Sequence, residues 1–322
     1  MKPIRQVLVI KLSALGDFVL AIPAFERIRA AHGDAQITLL TTPPFGALAK
    51  ASPFFDRVET DGRPNSIGGW LSLIGRLRSS RFDRVYDLQN SGRTGIYFQA
   101  LRPFAPSWSG TALGCSLPPR NRGRMKMHAL EREAEQLEAA GIWPNAPTSP
   151  LSAAAPDVSW ILRKSADAPP PPATAARPTV LLVPGGAAHR PEKRWPIEHY
   201  SALGEDLQGR GFDLIVIGGG QESELAGEIL RRAPRALDLT GRTDLAEVAA
   251  LGARAALAVG NDTGPMHLIT AAGAPAIVLF SSASDPALSA PRGEVTVLSA
   301  PDLKDVSVRA VLGAALKLAR PI

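Results

Sequence analysis

Short apolar segments alternate with segments of helical periodicity along most of the chain, and this alternation limits the possible folds more than any other feature. QVLVIKL and AQITLLT in the first half, and TVLLV and FDLIVI in the second, have the length and composition of buried strands. The segments between them repeat apolar residues at helical spacing, as amphipathic helices do. Strands that alternate with helices favour parallel sheets with helices on both faces, so the predicted fold class is α/β.

A proline-rich segment divides this pattern into two parts. It contains four consecutive prolines, which favour an extended chain over a helix. We therefore predict a first domain over residues 1–165, a linker over 166–178 and a second domain over 179–300. Residues 301–322 are predicted to include an amphipathic helix that could pack back on the first domain. Ligands of such sheets bind at the carboxyl ends of the strands, and two facing domains would offer a cleft.

The composition is typical of a folded protein, and its positive charge indicates either an acidic partner or only a basic surface. Of 322 residues, 45% are hydrophobic and 20% are charged, with a formal net charge of +6. The excess favours a nucleic acid, an anionic membrane surface or a phosphorylated substrate, but a solvated surface would explain it equally well. Cys115 is the only cysteine, which excludes an internal disulfide, and no uncharged apolar stretch reaches membrane-spanning length. We expect a cytoplasmic protein that could rest on a membrane.

The segment KLSALGDFVLAIP places an acid between a predicted strand and a predicted helix. Asp17 could simply favour the start of the helix, or it could be a reactive carboxylate at the mouth of a site. The residues of this segment alone leave both interpretations open.

The segment VGNDTGPMH in the second half has the pattern of an anion site. A strand ends, a polar turn follows and a helix begins at Pro265, so the free amides of the first turn would face a ligand together with the Thr263 hydroxyl. The alternative is an ordinary turn capped by Asp262 or Thr263.

Two further loops follow predicted strands of the second half. In PGGAAHRPEKRWP, the glycines allow close approach of a ligand and Lys193 is a compact cation suited to a phosphate, unless the loop is only a basic surface. In GGGQESELA, Glu222 or Glu224 could accept hydrogen bonds from ribose hydroxyls, or could only favour a helix N-terminus. These loops suggest a nucleotide in the second domain.

Several common sites are missing from the sequence. The first strand is not followed by G-x-G-x-x-G, and G-x-x-x-x-G-K-[ST] does not occur, which argues against a dinucleotide dehydrogenase and a P-loop NTPase. No histidines and cysteines cluster at the spacing of metal ligands.

Three segments together resemble the heptosyltransferases of glycosyltransferase family 9. They are VLVIKLSALGDFVLAIPAFERIRA, PGGAAHRPEKRWPIEHYSAL and VGNDTGPMHLITAAGAPAIVLF, in this order, within a resemblance from about residue 6 to residue 293. It implies a glycosyltransferase B-type fold, in which two Rossmann-like domains face each other across a cleft. It also implies transfer of a heptose from ADP-heptose to the Kdo/heptose inner core of lipopolysaccharide, with inversion and without a metal or other cofactor, at the cytoplasmic face of the inner membrane.

The resemblance assigns roles to individual residues. The family's catalytic acid falls on Asp17, which would take the proton of the acceptor hydroxyl as that oxygen attacks the sugar. Its ribose-binding acid falls on Glu222, with Glu224 as the alternative. The adenine would lie against residues 243–245. The donor-binding positions that it implies are Lys193, Glu222, Thr243, Leu245, Asp262, Thr263, Gly264 and His267.

Basic and polar residues of the first half are candidates for the acidic acceptor. Two of them precede Asp17 and could position the sugar or the acceptor, and the others could face the acceptor or an anionic lipid, or only form an exposed basic loop. These candidates are Lys11, Ser13, Arg93, Arg120, Arg122 and Arg124.

Two other functions stay open for a chain of this kind. One is a transferase that uses another nucleotide sugar for a surface glycan, because fold alone does not fix the donor. The other is a nucleotide-sugar-binding protein without activity, although a binding protein would not need both Asp17 and Lys193.

Overall fold

The computed structural model describes residues 3–144, 155–165, 177–187 and 189–319. The chain divides into two compact units, Met1–Ser152 and Ala153–Ile322, and each contains one parallel sheet. The predicted α/β class with two sheet domains is thereby confirmed. Most of the predicted linker, residues 166–176, lies outside the described residues.

The first unit is built on five parallel strands in the order β3-β2-β1-β4-β5. The strands are β1 (Gln6–Ile10), β2 (Gln36–Leu40), β3 (Arg57–Glu59), β4 (Arg84–Asp87) and β5 (Ser107–Ser109). The helices are α1 (Leu15–Leu20), α2 (Ile22–Ala31), α3 (Pro43–Ala51), α4 (Ile67–Ser79), α5 (Gly92–Leu101) and α6 (Ala129–Ala139). The strand order reverses between β1 and β4, where Ile10 pairs with Asp87, so the polar residues after both strands meet there.

The segment that follows β1 forms two helices where the sequence predicts one. Helix α1 ends at Leu20 and α2 begins at Ile22 with a proline in its first turn. Pro23 has no amide hydrogen, so it cannot continue the hydrogen-bond ladder of α1. Both helices still bury the same aromatic cluster, because the Phe18 ring lies 5.2 Å from that of Phe25 and 5.5 Å from that of Phe45.

The second unit is built on six parallel strands in the order β11-β10-β9-β6-β7-β8. The strands are β6 (Thr179–Val183), β7 (Asp213–Val216), β8 (Leu237–Asp238), β9 (Leu257–Asn261), β10 (Ala276–Phe280) and β11 (Val295–Ser299). The helices are α7 (Ser159–Ser165), α8 (Ile197–Gly209), α9 (Ser223–Arg232), α10 (Leu245–Arg254), α11 (Gly264–Ala271), α12 (Pro286–Ser289) and α13 (Val308–Leu318). Here the order reverses between β6 and β9, and Val183 pairs with Gly260.

Two helices near the predicted domain boundaries belong to this second unit. Helix α7, which the predicted boundary at 165 assigns to the first domain, packs against α10. Helix α13, which the sequence suggested could pack on the first domain, lies on α8 and adds the apolar side chains of Val311 and Ala315 to the core of its own unit. No helix among the described residues has the length and apolar character needed to cross a membrane.

Candidate functional site

The donor-binding residues predicted in the second half converge at one edge of the second sheet. Lys193 follows β6, Glu222 follows β7, Thr243 follows β8, and Asp262 follows β9. Because all six strands are parallel, these loops emerge at the same carboxyl edge, on both sides of the reversal between β6 and β9. This is the position in an open α/β sheet where ligands bind.

Lys193 and Asp262 form an ion pair across the reversal point. The Lys193 Nζ atom lies 2.6 Å from Asp262 Oδ2, and both side chains are partly buried. The sequence predicted each residue as part of a separate motif, 69 positions apart, without a contact between them. The pair places one cation directly beside the N-terminus of α11, which begins at Gly264.

Asn261 holds these loops together and was missed by the sequence analysis. This fully buried side chain donates to the carbonyl oxygens of Pro184 and Gly185, at 2.9 and 3.1 Å. Its Oδ1 atom accepts from the Trp195 amide at 2.9 Å and from the Tyr200 hydroxyl at 3.2 Å. The available signal was a polar residue at the end of a strand that is otherwise entirely buried and apolar.

Glu222 is buried against the loop that follows β6. A Cβ atom at Gly185 would lie 2.7 Å from Glu222 Cγ and 2.9 Å from Cδ, so only a glycine leaves room for this side chain. Gln221 Nε2 donates to Glu222 Oε1 at 3.0 Å. Glu224, the alternative acid, is exposed in the first turn of α9.

The remaining donor-binding candidates line the same edge. Thr243 and Leu245 are half-buried beside the loop after β8. A hydrogen bond connects this loop with the loop after β7, because the Gly241 amide donates to Gly218 O at 2.9 Å.

The other three candidates belong to the start of α11. Thr263 is the N-cap of α11, Gly264 is the first residue of that helix, and His267 is buried within it. Free amides of the α11 N-terminus and the Lys193 ammonium together form a positive region suited to phosphate groups.

In the first unit, Asp17 is exposed near the N-terminus of α1. Its Oδ2 atom accepts a hydrogen bond from the Ala14 amide at 3.0 Å. The preceding segment lies at the reversal between β1 and β4, where Gln89 Oε1 accepts from the amides of Leu12 and Ser13, at 2.7 and 3.1 Å. An exposed carboxylate in the first turn of a helix can accept a proton from a substrate.

Lys11 and Ser13 already have partners within the first unit. The Lys11 ammonium is buried and lies 2.6 Å from Glu133 Oε1 on α6, and it donates to Leu88 O at 3.2 Å. The Ser13 hydroxyl accepts from the guanidinium of Arg63.

The four arginine candidates occupy different surroundings. Arg120 and Arg122 are exposed. Arg93 is partly buried, donates to Pro64 O at 3.3 Å and lies 5.3 Å from the centre of the Trp70 ring. Arg124 pairs with Glu135 at 3.4 Å, and burial lowers the pKa of its guanidinium. The exposed pair therefore offers the most accessible positive charge of this set.

Asp87 is a buried carboxyl group at the end of β4. Burial raises its pKa to about 6, against the hydrogen bonds from Thr94, Asn90 and Gln89 and the charge of Lys11, which lower it. Its Oδ1 atom accepts from the amides of Gln89 and Asn90, at 3.1 and 3.0 Å, so it shapes the loop that holds the segment before Asp17.

The described residues contain no group of three or more histidine, cysteine, aspartate or glutamate side chains placed to hold a metal ion. Each unit instead has its own polar site at the carboxyl ends of its strands. The first presents a carboxylate and the second a cation at a helix N-terminus.

A family model and a related protein both show similarity of this chain to heptosyltransferases. A family model described as glycosyltransferase family 9 (heptosyltransferase) matches residues 70–307. Lipopolysaccharide heptosyltransferase 2 of Escherichia coli is 25% identical over 308 residues, which cover 87% of this chain and 83% of that protein.

Solved structures show the same fold. The structure of E. coli ADP-heptose lps heptosyltransferase II superposes with a TM-score of 0.77 at 24% identity, covering 97% of this chain and 98% of that one. E. coli heptosyltransferase WaaC with ADP superposes with a TM-score of 0.75 at 21% identity, covering 98% and 100%. These likenesses confirm the predicted fold class.

Proposed function

The chain belongs to glycosyltransferase family 9 and is a glycosyltransferase, and on that premise we propose that it transfers a heptose from ADP-heptose to the inner core of lipopolysaccharide. The observation that carries the donor assignment is the Lys193–Asp262 pair beside the N-terminus of α11. A relative of the same fold has been solved with ADP, which supports an adenine nucleotide at the second sheet.

The donor would lie along the carboxyl edge of the second sheet. Lys193 and the amides of α11 would bind the diphosphate, since a cation and a helix N-terminus both favour negative charge. Glu222 would accept hydrogen bonds from the ribose hydroxyls, and residues 243–245 would face the adenine. The buried position of Glu222 against Gly185 supports this role, because it aims a fixed carboxylate at the loop beside Lys193.

Asp17 would act as the general base. Its carboxylate would accept the proton of the acceptor hydroxyl while that oxygen forms a bond to the anomeric carbon. The bond from this carbon to the diphosphate oxygen breaks in the same displacement, so the product has inverted configuration and ADP leaves with the electron pair. The exposure of Asp17 and its bond to the Ala14 amide support this role.

Lys193 and the α11 amides would stabilise the departing diphosphate, so we propose that the transfer does not require a metal ion. The acceptor would be acidic, and Arg120 and Arg122 are free to meet its charge or the anionic surface of a membrane. We propose a cytoplasmic protein that binds that surface peripherally.

The test is calorimetric binding of ADP, UDP and GDP in EDTA, followed by a transfer assay with ADP-heptose and a heptose-deficient lipopolysaccharide acceptor. Selective ADP binding and transfer without metal are expected. Asp17→Asn is expected to lower kcat by about 10²–10⁴-fold with little change in ADP affinity. Preference for UDP or GDP would overturn the donor, and unchanged kcat in Asp17→Asn would overturn the base.

A further inference from the structure

A buried ion pair in the first unit has no part in the chemistry described so far. Lys11 Nζ lies 2.6 Å from Glu133 Oε1, and the side chains of both residues are only 7% exposed. Burying two charges is costly even when they are paired, and an apolar pair of similar size is often as stable. A buried ion pair at the end of β1 therefore suggests a role other than stability.

The Glu133 carboxylate is incompletely satisfied. Its Oε2 atom is buried, and no donor among the described residues lies within hydrogen-bond distance of it. Burial raises the pKa of Glu133, the charge and hydrogen bond of Lys11 lower it, and the negative charge of Asp17 raises it again. Helix α1, which contains Asp17, packs against α6, which contains Glu133, so the two carboxylates lie on contacting helices.

Hydrogen bonds fix the backbone segment that joins Lys11 to Asp17. Lys11 directly follows β1, and the backbone of the next residue, Leu12, makes two hydrogen bonds. Its amide donates to Gln89 Oε1 at 2.7 Å, and its carbonyl accepts from the Thr42 hydroxyl at 2.8 Å. The segment then ends at the Ala14 amide, which donates to Asp17 Oδ2.

Helix α6 fixes the other side of this arrangement. One turn after Glu133, the buried Gln136 donates to Asp87 O at 3.0 Å and accepts from Asn90 Nδ2 at 2.7 Å. Glu133 thus holds the end of β1 while Gln136 holds the end of β4. The two strand ends that meet at the reversal point are clamped by one helix.

We propose that Lys11 and Glu133 are a positioning pair for Asp17: they hold the segment that carries the base and set the electric field at its carboxylate. The proposal rests on the proposed role of Asp17. It also gives Lys11 a role different from the predicted contact with the acceptor. Lys11 acts from the interior of the unit, through Glu133 and the segment after β1, and does not touch the acceptor.

The charges around Glu133 determine the expected effect of a substitution. Lys11 faces it from the end of β1, Asp17 from α1 and Arg132 from its own helix, while Asp87 on β4 senses the charge of Lys11. Glu133→Gln keeps the shape but removes one negative charge and leaves the Lys11 ammonium unbalanced. The ionised form of the base is then favoured, so the acidic limb of the kcat/KM profile moves to lower pH, by about 0.5–1 pH unit.

The first experiment compares pH profiles of kcat/KM for wild type, Glu133→Gln, Lys11→Met/Glu133→Gln and Glu138→Gln. Glu138 is exposed on the same helix and serves as the matched control. We expect the acidic limb to move down in Glu133→Gln, to move back toward wild type in the double variant, and to stay in Glu138→Gln, with KM for ADP-heptose unchanged throughout. If Glu133→Gln lowers kcat/KM equally at every pH and leaves the acidic limb of the profile in place, the pair has only a structural role.

A second measurement does not depend on transfer activity. The Glu133 carboxyl is titrated by carbon NMR in wild type and in Asp17→Asn, with Glu133→Gln used to assign the signal. The pKa of Glu133 is expected to fall when the charge of Asp17 is removed, because that charge raises it. An unchanged titration would overturn the coupling. Absence of heptosyl transfer by wild type would instead reject the proposed function, and the titration would still decide on the pair.

Discussion

The Lys193 ammonium lies 2.6 Å from the Asp262 carboxylate, across two loops that follow neighbouring strands. An acid in a phosphate-binding loop repels its ligand unless its charge is balanced. Here the carboxylate holds the ammonium in place, so that one fixed cation faces the site before any ligand arrives. The pair makes Asp262 compatible with the diphosphate that we propose for this site.

Substitution of Lys193 tests this arrangement directly. Lys193→Ala would remove the proposed charge-assisted hydrogen bond to the diphosphate, worth about 1.5–3 kcal/mol, so ADP should bind about 10–150-fold more weakly in calorimetry. Lys317→Ala, an exposed lysine on α13 of the same unit, is the matched control and should bind ADP as wild type does.

The coupling between the two residues gives a further prediction. In the proposed donor site Asp262 would act on ADP through Lys193, so the effects of Lys193→Ala and Asp262→Ala on ADP affinity should not add in the double variant. A double-mutant cycle in calorimetry measures the difference. Strict additivity would mean that the two side chains contact the ligand independently.

Asn261 is expected to be essential for the stability of the second unit. Asn261→Ala leaves the buried carbonyls of Pro184 and Gly185 and the Trp195 amide without their partner. We expect the free energy of unfolding, measured by urea denaturation, to fall by about 2–4 kcal/mol, because each buried unsatisfied group is costly. Lys317→Ala, at an exposed position of the same unit, should change it by less than about 0.5 kcal/mol.

The two glycines after β6 should respond differently to alanine. In Gly185→Ala the new methyl group would overlap Glu222, which must move, so ADP affinity should fall. In Gly186→Ala the nearest atom, Arg194 Cγ, is 3.6 Å away, so this neighbour is the control. Calorimetry of ADP and of 2′,3′-dideoxy-ADP separates the cause, since the analogue lacks the hydroxyls that Glu222 would bind. Equal losses for both ligands in Gly185→Ala would contradict a ribose contact.

Asp87 should make the stability of the first unit depend on pH. Its folded pKa of about 6 lies above the unfolded value, so between about pH 4 and 6 the folded state holds a proton that the unfolded state releases. Its contribution to the free energy of unfolding is therefore present at low pH and falls by about 3 kcal/mol as the pH rises through that window.

The measurement compares wild type with Asp87→Asn, which keeps an oxygen to accept from the Gln89 and Asn90 amides. The free energy of unfolding of wild type minus that of the variant should decrease from about pH 4 to about pH 7. A constant difference would show that burial does not control this carboxyl group.

Much of the architecture was readable from local patterns. The predicted strand QVLVIKL contains β1, and Pro265 lies in the first turn of α11 as the sequence indicated. The break between α1 and α2 was not predicted, because helical periodicity continues across Pro23 and conceals the lost hydrogen bond. Patterns of burial fix the type of each element more reliably than its ends.

The site was only partly readable. The sequence indicated Lys193, Glu222 and Asp262 as separate candidates on separate loops, and Asp17 at a strand end. It gave no reason to connect Lys193 with Asp262, to notice Asn261, or to place the Lys11 ammonium against Glu133, 122 positions away.

What could be predicted from the sequence and what only the structure showed differ for a physical reason. Hydrophobic periodicity is a local property of the chain, so the sequence by itself determined two parallel α/β sheets and the polar loops at their strand ends. Which loops meet depends on strand order, which long-range packing decides. Because β6 lies beside β9 and β1 beside β4, the tertiary structure alone paired Lys193 with Asp262 and brought Leu88 and the Gln89 side chain to the segment before Asp17.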